Sequence, residues 1–320
     1  MDKYIKYDAQ PGVVLYIENK GSNKECCYDL DIKDDVTELY LMVFDFCLSN
    51  NKKQFKNISK IVILDTCGDL HLPNQMFPNV KEVVSCNSRR YFVKRNKLLF
   101  DEFNHSLINV FNWHTPDAMC RILKCEEHAF DGSYFSEQPF KNGVKMAECV
   151  IIALDKTADN VVIPEEARAM AHGLDFSKIK KMTLKTVKFC RNCDYSELPE
   201  TLIIDGCDDI DWSEIQDLAG RVKHIEVINN KNFVTQDDIV YNKTMTTVVA
   251  CLAEKTGMVE LPEGVTKIER EAFRYCEINS VKFPSTLRLI SDNAFADCEN
   301  LKTIDFGCGL THVGSSVSWY

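Results

Sequence analysis

Hydrophobic residues recur along the chain with a period of 22 to 23 positions, most clearly near its C-terminus. The stretch 259–284 overlays the sequence that follows it when the chain is shifted by 22 residues. Phe273 then falls on Phe295, and Cys276 falls on Cys298. One inserted residue changes the shift to 23, and the apolar positions continue in register. The alternation of apolar and polar residues within each period predicts one half-buried β-strand per period.

The same spacing occurs earlier in the chain with weaker similarity. Strand-like motifs begin at Val36, Ile58 and Val80, each 22 residues after the previous one. Further strand motifs follow in the middle of the chain: Met182-x-Leu184, Leu202-x-Ile204 and Ile225-x-Val227. A period in the low twenties with a short strand in each repeat is typical of a leucine-rich-repeat solenoid. We therefore predict an α/β, β-rich leucine-rich-repeat solenoid with repeats of about 22–23 residues.

A second pattern interrupts the repeats. Residues near 91–111 align without gaps on residues near 232–256 at a shift of 141, and a related stretch lies near 136–156. Apolar segments separated by polar turns predict a β-hairpin insertion in each of these stretches. Residues 1–33 predict an N-terminal, β-hairpin-like cap, because the first repeat of a solenoid would otherwise expose its core. The predicted solenoid then extends over residues 34–320.

The C-terminal repeats resemble a known family. The string LPEGVTKIEREAFRYC is followed by a strand and then by PSTLRLISDNAFADC, so that Pro-x-x-Val/Leu-x-x-Ile, Ala-Phe and Cys recur in register. This motif resembles the BspA-like leucine-rich repeats. The resemblance implies a binding scaffold, often a surface adhesin, and it does not identify the ligand.

Composition and charge narrow the classes of partner and compartment. The net charge is -10, and the basic residues are spread along the chain, which argues against nucleic acid as a partner. No apolar run reaches the roughly 18 residues that span a bilayer, so membrane insertion is not expected. The first residues lack the apolar core of a signal peptide, and the 15 cysteines then indicate reduced thiols in a cytoplasmic protein. A leader or anchor outside this chain would instead indicate a cell-surface or secreted protein.

The sequence shows no constellation of catalytic or metal-binding residues. Cys190-Arg-Asn-Cys193 is a single CxxC, whereas ribbon-type metal sites need a second pair. The seven histidines lack His-x-x-x-His spacing, and no Gly-x-Ser-x-Gly elbow or Gly-rich phosphate loop occurs. The acidic run 208–211 lacks the Gly and distal Glu of an EF-hand, so we interpret it as a solvated connection. We predict no enzymatic activity, no cofactor and no metal.

Certain polar and thiol side chains are expected to be structural. Cys207 and Asn230 follow strands at the position where leucine-rich repeats commonly hold Asn or Cys. A side chain there can bond backbone groups of the turn that would otherwise be buried without partners. Cys276 and Cys298 occupy equivalent repeat positions, so we predict that both are buried in the core.

Function is expected on the outward positions of the strands and on the hairpins. In each strand motif, the residue between two inward positions points outward. The candidate outward face consists of Tyr40, Met42, Val62, Leu64, Val84, Thr183, Ile203, Glu226, Lys282 and Asp305. Its first five members are apolar, and an apolar stripe in water marks an interface or is covered by another part of the chain. We expect a partner or a hairpin to contact these five.

Two hypotheses for function follow. The leading one is a non-enzymatic scaffold that binds a protein ligand, such as a host or cell-surface protein, with a glycan as the second ligand class. The alternative is a structural or self-assembling repeat protein without a specific ligand. We expect a monomer, in which Val317 and Trp319 cover the last repeat.

Overall fold

The computed structural model describes residues 5–7, 14–18, 27–28, 32, 34–42, 46–48, 53–64, 70–72, 74–86, 88–95, 97–103, 105–111, 122, 124–126, 128–176, 178–188 and 198–315. The chain divides into two compact units. The N-terminal unit comprises residues 1–154, 167–174 and 188–194. The C-terminal unit comprises residues 155–166, 175–187 and 195–320.

The N-terminal unit consists mainly of short strands. In chain order these are β1 (Ile5–Tyr7), β2 (Val14–Glu18), β3 (Cys27–Tyr28), β4 (Glu38–Met42), β5 (Phe46–Leu48), β6 (Lys60–Ile63), β7 (Leu70–His71), β8 (Glu82–Ser85), β9 (Tyr91–Lys94), β10 (Leu98–Asp101), β11 (Ser106–Asn109), β12 (Val144–Ala147), β13 (Val150–Leu154) and β15 (Ala169–Met170). A 3-10 helix spans Asn74–Met76, and a short helix, α1, spans Tyr134–Glu137.

Each early repeat contributes one strand to each of two sheets. The first sheet has the order β1-β2-β4-β6-β8, and the second has the order β3-β5-β7. Leu39 pairs with Ile61, and Ile61 pairs with Val83, in parallel register. These partners are 22 residues apart, which confirms the spacing predicted from the sequence. All three side chains are fully buried, because alternate residues of each strand face a core that also contains Leu70 of the second sheet.

Antiparallel strands follow the early repeats. Strands β9, β10 and β11 form a three-stranded antiparallel sheet, so the stretch near 91–111 contains one strand more than a simple hairpin. Strands β12 and β13 form an antiparallel hairpin, and β13 then pairs in parallel with β15. Strand β2, within the stretch expected to be a cap, pairs antiparallel with β1 and parallel with β4.

The C-terminal unit also consists mainly of short strands. Its strands are β14 (Val161–Ile163), β16 (Lys181–Leu184), β17 (Thr201–Asp205), β18 (His224–Ile228), β19 (Phe233–Gln236), β20 (Ile239–Asn242), β21 (Thr247–Cys251), β22 (Gly257–Glu260), β23 (Lys267–Ile268), β24 (Ile278–Lys282), β25 (Leu289–Ile290), β26 (Thr303–Asp305) and β27 (His312–Val313). They form three sheets, β14-β16-β17-β18, β19-β20-β21-β23-β25-β27 and β22-β24-β26.

The core of the last repeats is built from the residues that recur in the sequence. Phe273 and Phe295 are fully buried, and their rings stack with centroids 4.7 Å apart. Ile268 pairs with Ile290 in parallel register one repeat later. Burying each of these side chains stabilises the fold by about 1.5–3 kcal/mol. The stacking of identical repeat positions therefore supplies the core, as expected for a leucine-rich-repeat solenoid.

A helix of eight residues, α2 (Trp212–Ala219), lies in the stretch that follows the acidic run. The side chain of Asp211 accepts a hydrogen bond from the Glu214 backbone N–H at 2.9 Å, and the Glu214 carboxylate accepts one from the Asp211 N–H at 3.0 Å. This reciprocal pair is a capping box. Asp208, Asp209 and Asp211 are exposed in the connection between β17 and α2, and Asp211 also starts the helix, which the sequence analysis did not predict.

The described residues contain little helix apart from α1, α2 and the 3-10 turn, so the β-rich leucine-rich-repeat fold predicted from the sequence is confirmed. Within the same residues, no helix has the length and the apolar character needed to cross a membrane.

Candidate functional site

The outward side of the first sheet carries an apolar row. Tyr40 pairs with Val62, and Val62 pairs with Val84, so the three side chains lie side by side on adjacent strands. Tyr40 and Val84 are half-buried, and so is Leu64 just after β6. Val62 is only 4% exposed although it does not belong to the core cluster between the sheets. A partner on this row would therefore contact mainly the three half-buried side chains; the side chain of Met42 lies outside the described residues.

A charged row borders the apolar one. Glu38, Lys60 and Glu82 pair across strands β4, β6 and β8. The Lys60 Nζ lies 3.2 Å from Glu82 Oε2, and this hydrogen bond raises the pKa of Lys60. The hydroxyl of Tyr40 donates a hydrogen bond to Glu38 Oε2 at 3.0 Å, which links the two rows. The outward side of this sheet is thus amphipathic rather than uniformly apolar.

The central candidate residues line the outward side of the sheet β14-β16-β17-β18. Thr183 pairs with Ile203, and Ile203 pairs with Glu226. Thr183 and Ile203 are 8% and 6% exposed, whereas Glu226 is exposed. The Thr183 hydroxyl donates a hydrogen bond to Asn160 Oδ1 at 3.3 Å. A ligand at this row would meet Glu226 first, since the other two side chains offer little surface.

An ion pair lies at the edge of that row. Lys185 and Asp205 form a salt bridge, and Asn229 Nδ2 donates a hydrogen bond to Asp205 Oδ1 at 2.8 Å. The bonds from Lys185 and then Asn229 hold the pKa of Asp205 below its ordinary value. The carboxylate therefore stays ionised and presents a fixed negative charge.

The sheet β22-β24-β26 has the most accessible outward surface among the candidate positions. Two rows cross its three strands. We call the six residues of these rows the C-terminal face: Met258, Ser280 and Thr303 in one row, and Glu260, Lys282 and Asp305 in the other. Met258 is 64% exposed. Lys282 Nζ lies 2.7 Å from Glu260 Oε1, and this bond, followed by the charge of Asp305, raises the pKa of Lys282.

Sequence reasoning identified only Lys282 and Asp305 among these six residues. A signal for the others was present, because Ser280 and Thr303 lie two positions before them and share the same side of a strand. Glu260 also lies 22 positions before Lys282. The register of the repeat could therefore have extended the candidate face to the third strand.

Buried polar side chains order the turns that follow the strands. Asn230 is 2% exposed, and its Oδ1 accepts hydrogen bonds from the N–H groups of Asn232 at 2.8 Å and Phe233 at 2.9 Å. Its Nδ2 donates to the Cys207 carbonyl at 3.2 Å. The predicted structural role of this position is confirmed. Asn109 makes similar bonds to the Leu72 carbonyl and the Phe111 N–H, and sequence reasoning missed it.

Thiols occupy the corresponding positions in other repeats. Cys207, Cys276 and Cys298 are buried, as predicted, and each donates from Sγ to a carbonyl of the preceding turn: Leu184 at 3.3 Å, Leu252 at 3.2 Å and Phe273 at 2.9 Å. Burial raises the pKa of Cys207 to about 12 and that of Cys298 to about 11. The hydrogen bond with Cys251 and then burial raise the pKa of Cys276. These thiols are neutral packing groups and not nucleophiles.

Among the residues that the structure describes, no three His, Cys, Asp or Glu side chains come together to hold a metal ion. At the surface, His128 contacts the carboxylate of Asp131, and His224 contacts that of Asp238. The Cys190-Arg-Asn-Cys193 motif lies outside the described residues, as do Val317 and Trp319.

Comparison with known proteins identifies the C-terminal repeats. A family described as "BspA type Leucine rich repeat region (6 copies)" matches residues 251–318, as the sequence motif predicted. No curated protein gives a significant match.

Solved structures with detectable similarity include a leucine rich cell surface protein from Faecalibacterium prausnitzii A2-165. It is 15% identical over 97% of this chain and 76% of its own, with a TM-score of 0.32. The pneumococcal vaccine antigen PcpA is 14% identical over 97% of this chain and 70% of its own, with a TM-score of 0.34. These TM-scores are too low to support an argument about function.

Proposed function

We propose that this chain, whose residues 251–318 form a BspA-type leucine-rich repeat region, is a non-enzymatic scaffold that binds a protein ligand. The observation that carries the proposal is the C-terminal face, where two parallel rows of outward side chains remain open to solvent. Met258 on this face is 64% exposed. In a solenoid, such outward rows form a continuous surface that the core does not need.

The composition of the face favours a protein over other ligand classes. A flexible thioether such as that of Met258 adapts to irregular apolar surfaces and occurs often at binding surfaces. The alternating charges of Glu260, Lys282 and Asp305 lie in one row, and such a pattern favours a partner with the complementary order of charges. A nucleic acid would instead need a cluster of positive charge, which this row lacks.

The thiols bear on the compartment. Among the cysteines whose side chains the structure describes, Cys86 and Cys308 are free and exposed. Exposed free thiols persist most easily where glutathione keeps them reduced, which favours the cytoplasm. An adhesin-like role at a cell surface is the alternative that the BspA-like repeats suggest, and it requires these thiols to stay unpaired outside the cell.

Charge reversal on the C-terminal face tests the proposal. Immobilised wild-type chain and Lys282→Glu, each incubated with extract of the cells that produce it, are compared by quantitative mass spectrometry. We expect Lys282→Glu to lower recovery of the partner by at least about tenfold, because it sets three negative charges side by side. Lys243→Glu makes the same charge change at an exposed turn of the same unit and should recover the partner as the wild type does.

Two results would contradict the proposal. One is equal recovery of every bound protein by the wild type and Lys282→Glu. The other is a wild-type sample that retains only further copies of this chain, which would support the self-assembling alternative.

A further inference from the structure

A groove of about 540 Å³ lies beside helix α2, within the C-terminal unit. Its volume is in the range of roughly 300–1,000 Å³ that is usual for small-molecule sites. One side is formed by α2 and the residues just after it, and the other by the end of β21 and the turn that follows β23. Its lining includes two aromatic side chains, Trp212 and Tyr275, and three arginines, Arg221, Arg270 and Arg274. None of them belongs to the C-terminal face.

Two aromatic rings in this groove are open to solvent. Trp212 is 45% exposed, and Tyr275 is 57% exposed. The guanidinium of Arg274 lies 4.6 Å from the centroid of the Tyr275 ring, in a cation–π contact that holds the ring in place. A large aromatic side chain left in water gives up the stabilisation that burial would provide, so paired exposed rings in one groove indicate a surface for a ligand.

The cations of the groove are already paired with acids. Arg221 Nη2 lies 3.0 Å from Asp217 Oδ1. Arg274 contacts Glu271 at 3.3 Å and Asp297 at 3.3 Å, and Arg270 contacts Glu271 at 3.2 Å. A phosphate or another strong anion would have to break these pairs to be neutralised, so the groove fits an uncharged ligand better. The paired groups still offer N–H donors and carboxylate acceptors at fixed positions.

The groove is braced against movement. Gln216 Nε2 donates hydrogen bonds to the carbonyls of Val249 at 2.8 Å and Arg270 at 2.7 Å, which fasten α2 to both neighbouring segments. The capping box at Asp211 fixes the start of the same helix. A ligand therefore meets a preformed surface and does not bear the entropic cost of ordering it.

An extended peptide cannot bind here by adding a strand. Ala250 and Cys251 line the groove, and their strand, β21, is already paired with β20 on one side and with β23 on the other. Strand addition requires a free edge. The groove therefore fits a ligand that binds by stacking on aromatic rings and by hydrogen bonds to side chains, without hydrogen bonds to a strand backbone.

We propose that this groove binds a neutral oligosaccharide. A sugar ring has a face of C–H groups that packs against an aromatic ring, and its rim of hydroxyls both donates and accepts hydrogen bonds. Trp212 and Tyr275 supply the stacking surfaces, and the paired Arg, Asp and Glu groups supply hydrogen-bond donors and acceptors. Because these groups neutralise one another, the ligand does not need to carry a charge. This site is separate from the proposed protein-binding face.

Titration calorimetry on the full chain tests the site with three probes: maltotetraose, cellotetraose and tetra-N-acetylchitotetraose. We expect at least one to bind with one site per chain. Trp212→Ala and Tyr275→Ala should each weaken that binding by at least about tenfold, whereas Trp212→Phe should lose less because it keeps a ring. Tyr134→Ala removes an equally exposed ring, 48% exposed, from the N-terminal unit and should bind as the wild type does.

Thermal unfolding of each variant checks that the fold is intact. We expect little change in the melting temperature, because the exposed rings are not part of the hydrophobic core. The proposal is overturned if none of the three sugars binds at about 5 mM, which lies beyond ordinary weak affinity. It is also overturned if binding survives both Trp212→Ala and Tyr275→Ala, or if a proline-rich decapeptide binds in place of the sugars. Lys282→Glu should leave sugar binding unchanged, so this result and that for the protein-binding face are independent.

Discussion

At the scale of single residues, one repeat position is filled by two different chemical groups. Asn230 both accepts and donates hydrogen bonds. Its side chain binds backbone N–H groups at the start of the next hairpin and a backbone carbonyl of the preceding turn. The Cys207 thiol donates a hydrogen bond to the Leu184 carbonyl. Both side chains thereby give hydrogen-bond partners to backbone groups next to the turns.

Asn230→Ala should be strongly destabilising. The change leaves the N–H groups of Asn232 and Phe233 without their acceptor and removes a donor to the Cys207 carbonyl. We expect a loss of about 2–4 kcal/mol in the free energy of unfolding, measured in urea. Asn300→Ala, at an exposed turn, should change it by less than about 0.5 kcal/mol. Equal effects of the two substitutions would contradict the assigned role.

Cys207 should make the fold sensitive to high pH. Burial raises its pKa from 9.0 to about 12, so the folded chain keeps the proton where the unfolded chain has lost it. The stability from the neutral thiol is thus fully present below pH 9 and is lost as the pH rises towards 12. Cys207→Ala should show a shallower decline of unfolding free energy across this window than the wild type. Alanine tolerates the local backbone, at φ 46°, better than a β-branched residue.

The control for this measurement is Cys308→Ala, because Cys308 is exposed on another turn. It should keep the wild-type decline between pH 9 and 12. If Cys207→Ala declines as steeply as the wild type does, the buried thiol is not responsible for the alkaline instability.

At the scale of elements, neighbouring outward positions on the same sheet differ in burial. Val62 lies between Tyr40 and Val84 on the adjacent strands and is 4% exposed, whereas Val84 keeps part of its surface. The burial of Val62 means that part of the apolar row stabilises the fold and only part is available to a partner.

Lysine substitutions separate these two contributions. Val62→Lys should cost about 2–4 kcal/mol of unfolding free energy, because a charge would replace a buried methyl group without a partner. Val84→Lys should cost less than about 1 kcal/mol, since a half-exposed lysine can extend its ammonium group into water. Urea unfolding of the two variants gives the comparison. Similar losses would show that the two positions are equally buried, contrary to the structure.

The predictability of the elements depended on how local their signals are. The 22-residue register of Leu39, Ile61 and Val83 follows from the spacing of apolar residues and was predicted. Helix α2 was missed, although Asp211 and Glu214 have capping-box spacing and the apolar residues after them have helical spacing. Asp211 is also the last residue of the acidic run, and such a run is typical of a solvated connection as well as of a helix cap.

At the scale of the whole chain, the repeat architecture was predictable and the binding surfaces were only partly so. The groove joins Trp212 with Tyr275, which are 63 positions apart, and no periodic pattern relates them. Exposure is equally non-local, as Ile203 and Glu226 occupy equivalent outward positions and only Glu226 is exposed. Such properties depend on what packs around each strand and not on its own sequence.

We propose that a protein ligand contacts the outward side of strands β22, β24 and β26. Site-specific photo-crosslinking in living cells tests it most directly, with a photoreactive residue placed at Ser280, in the middle of the C-terminal face, or at Glu299, on an exposed turn of the same unit. We expect a crosslinked species of one defined mass from Ser280, none from Glu299, and loss of the Ser280 species when Lys282→Glu is added. Crosslinks of equal yield from both positions, or none from Ser280, would contradict it.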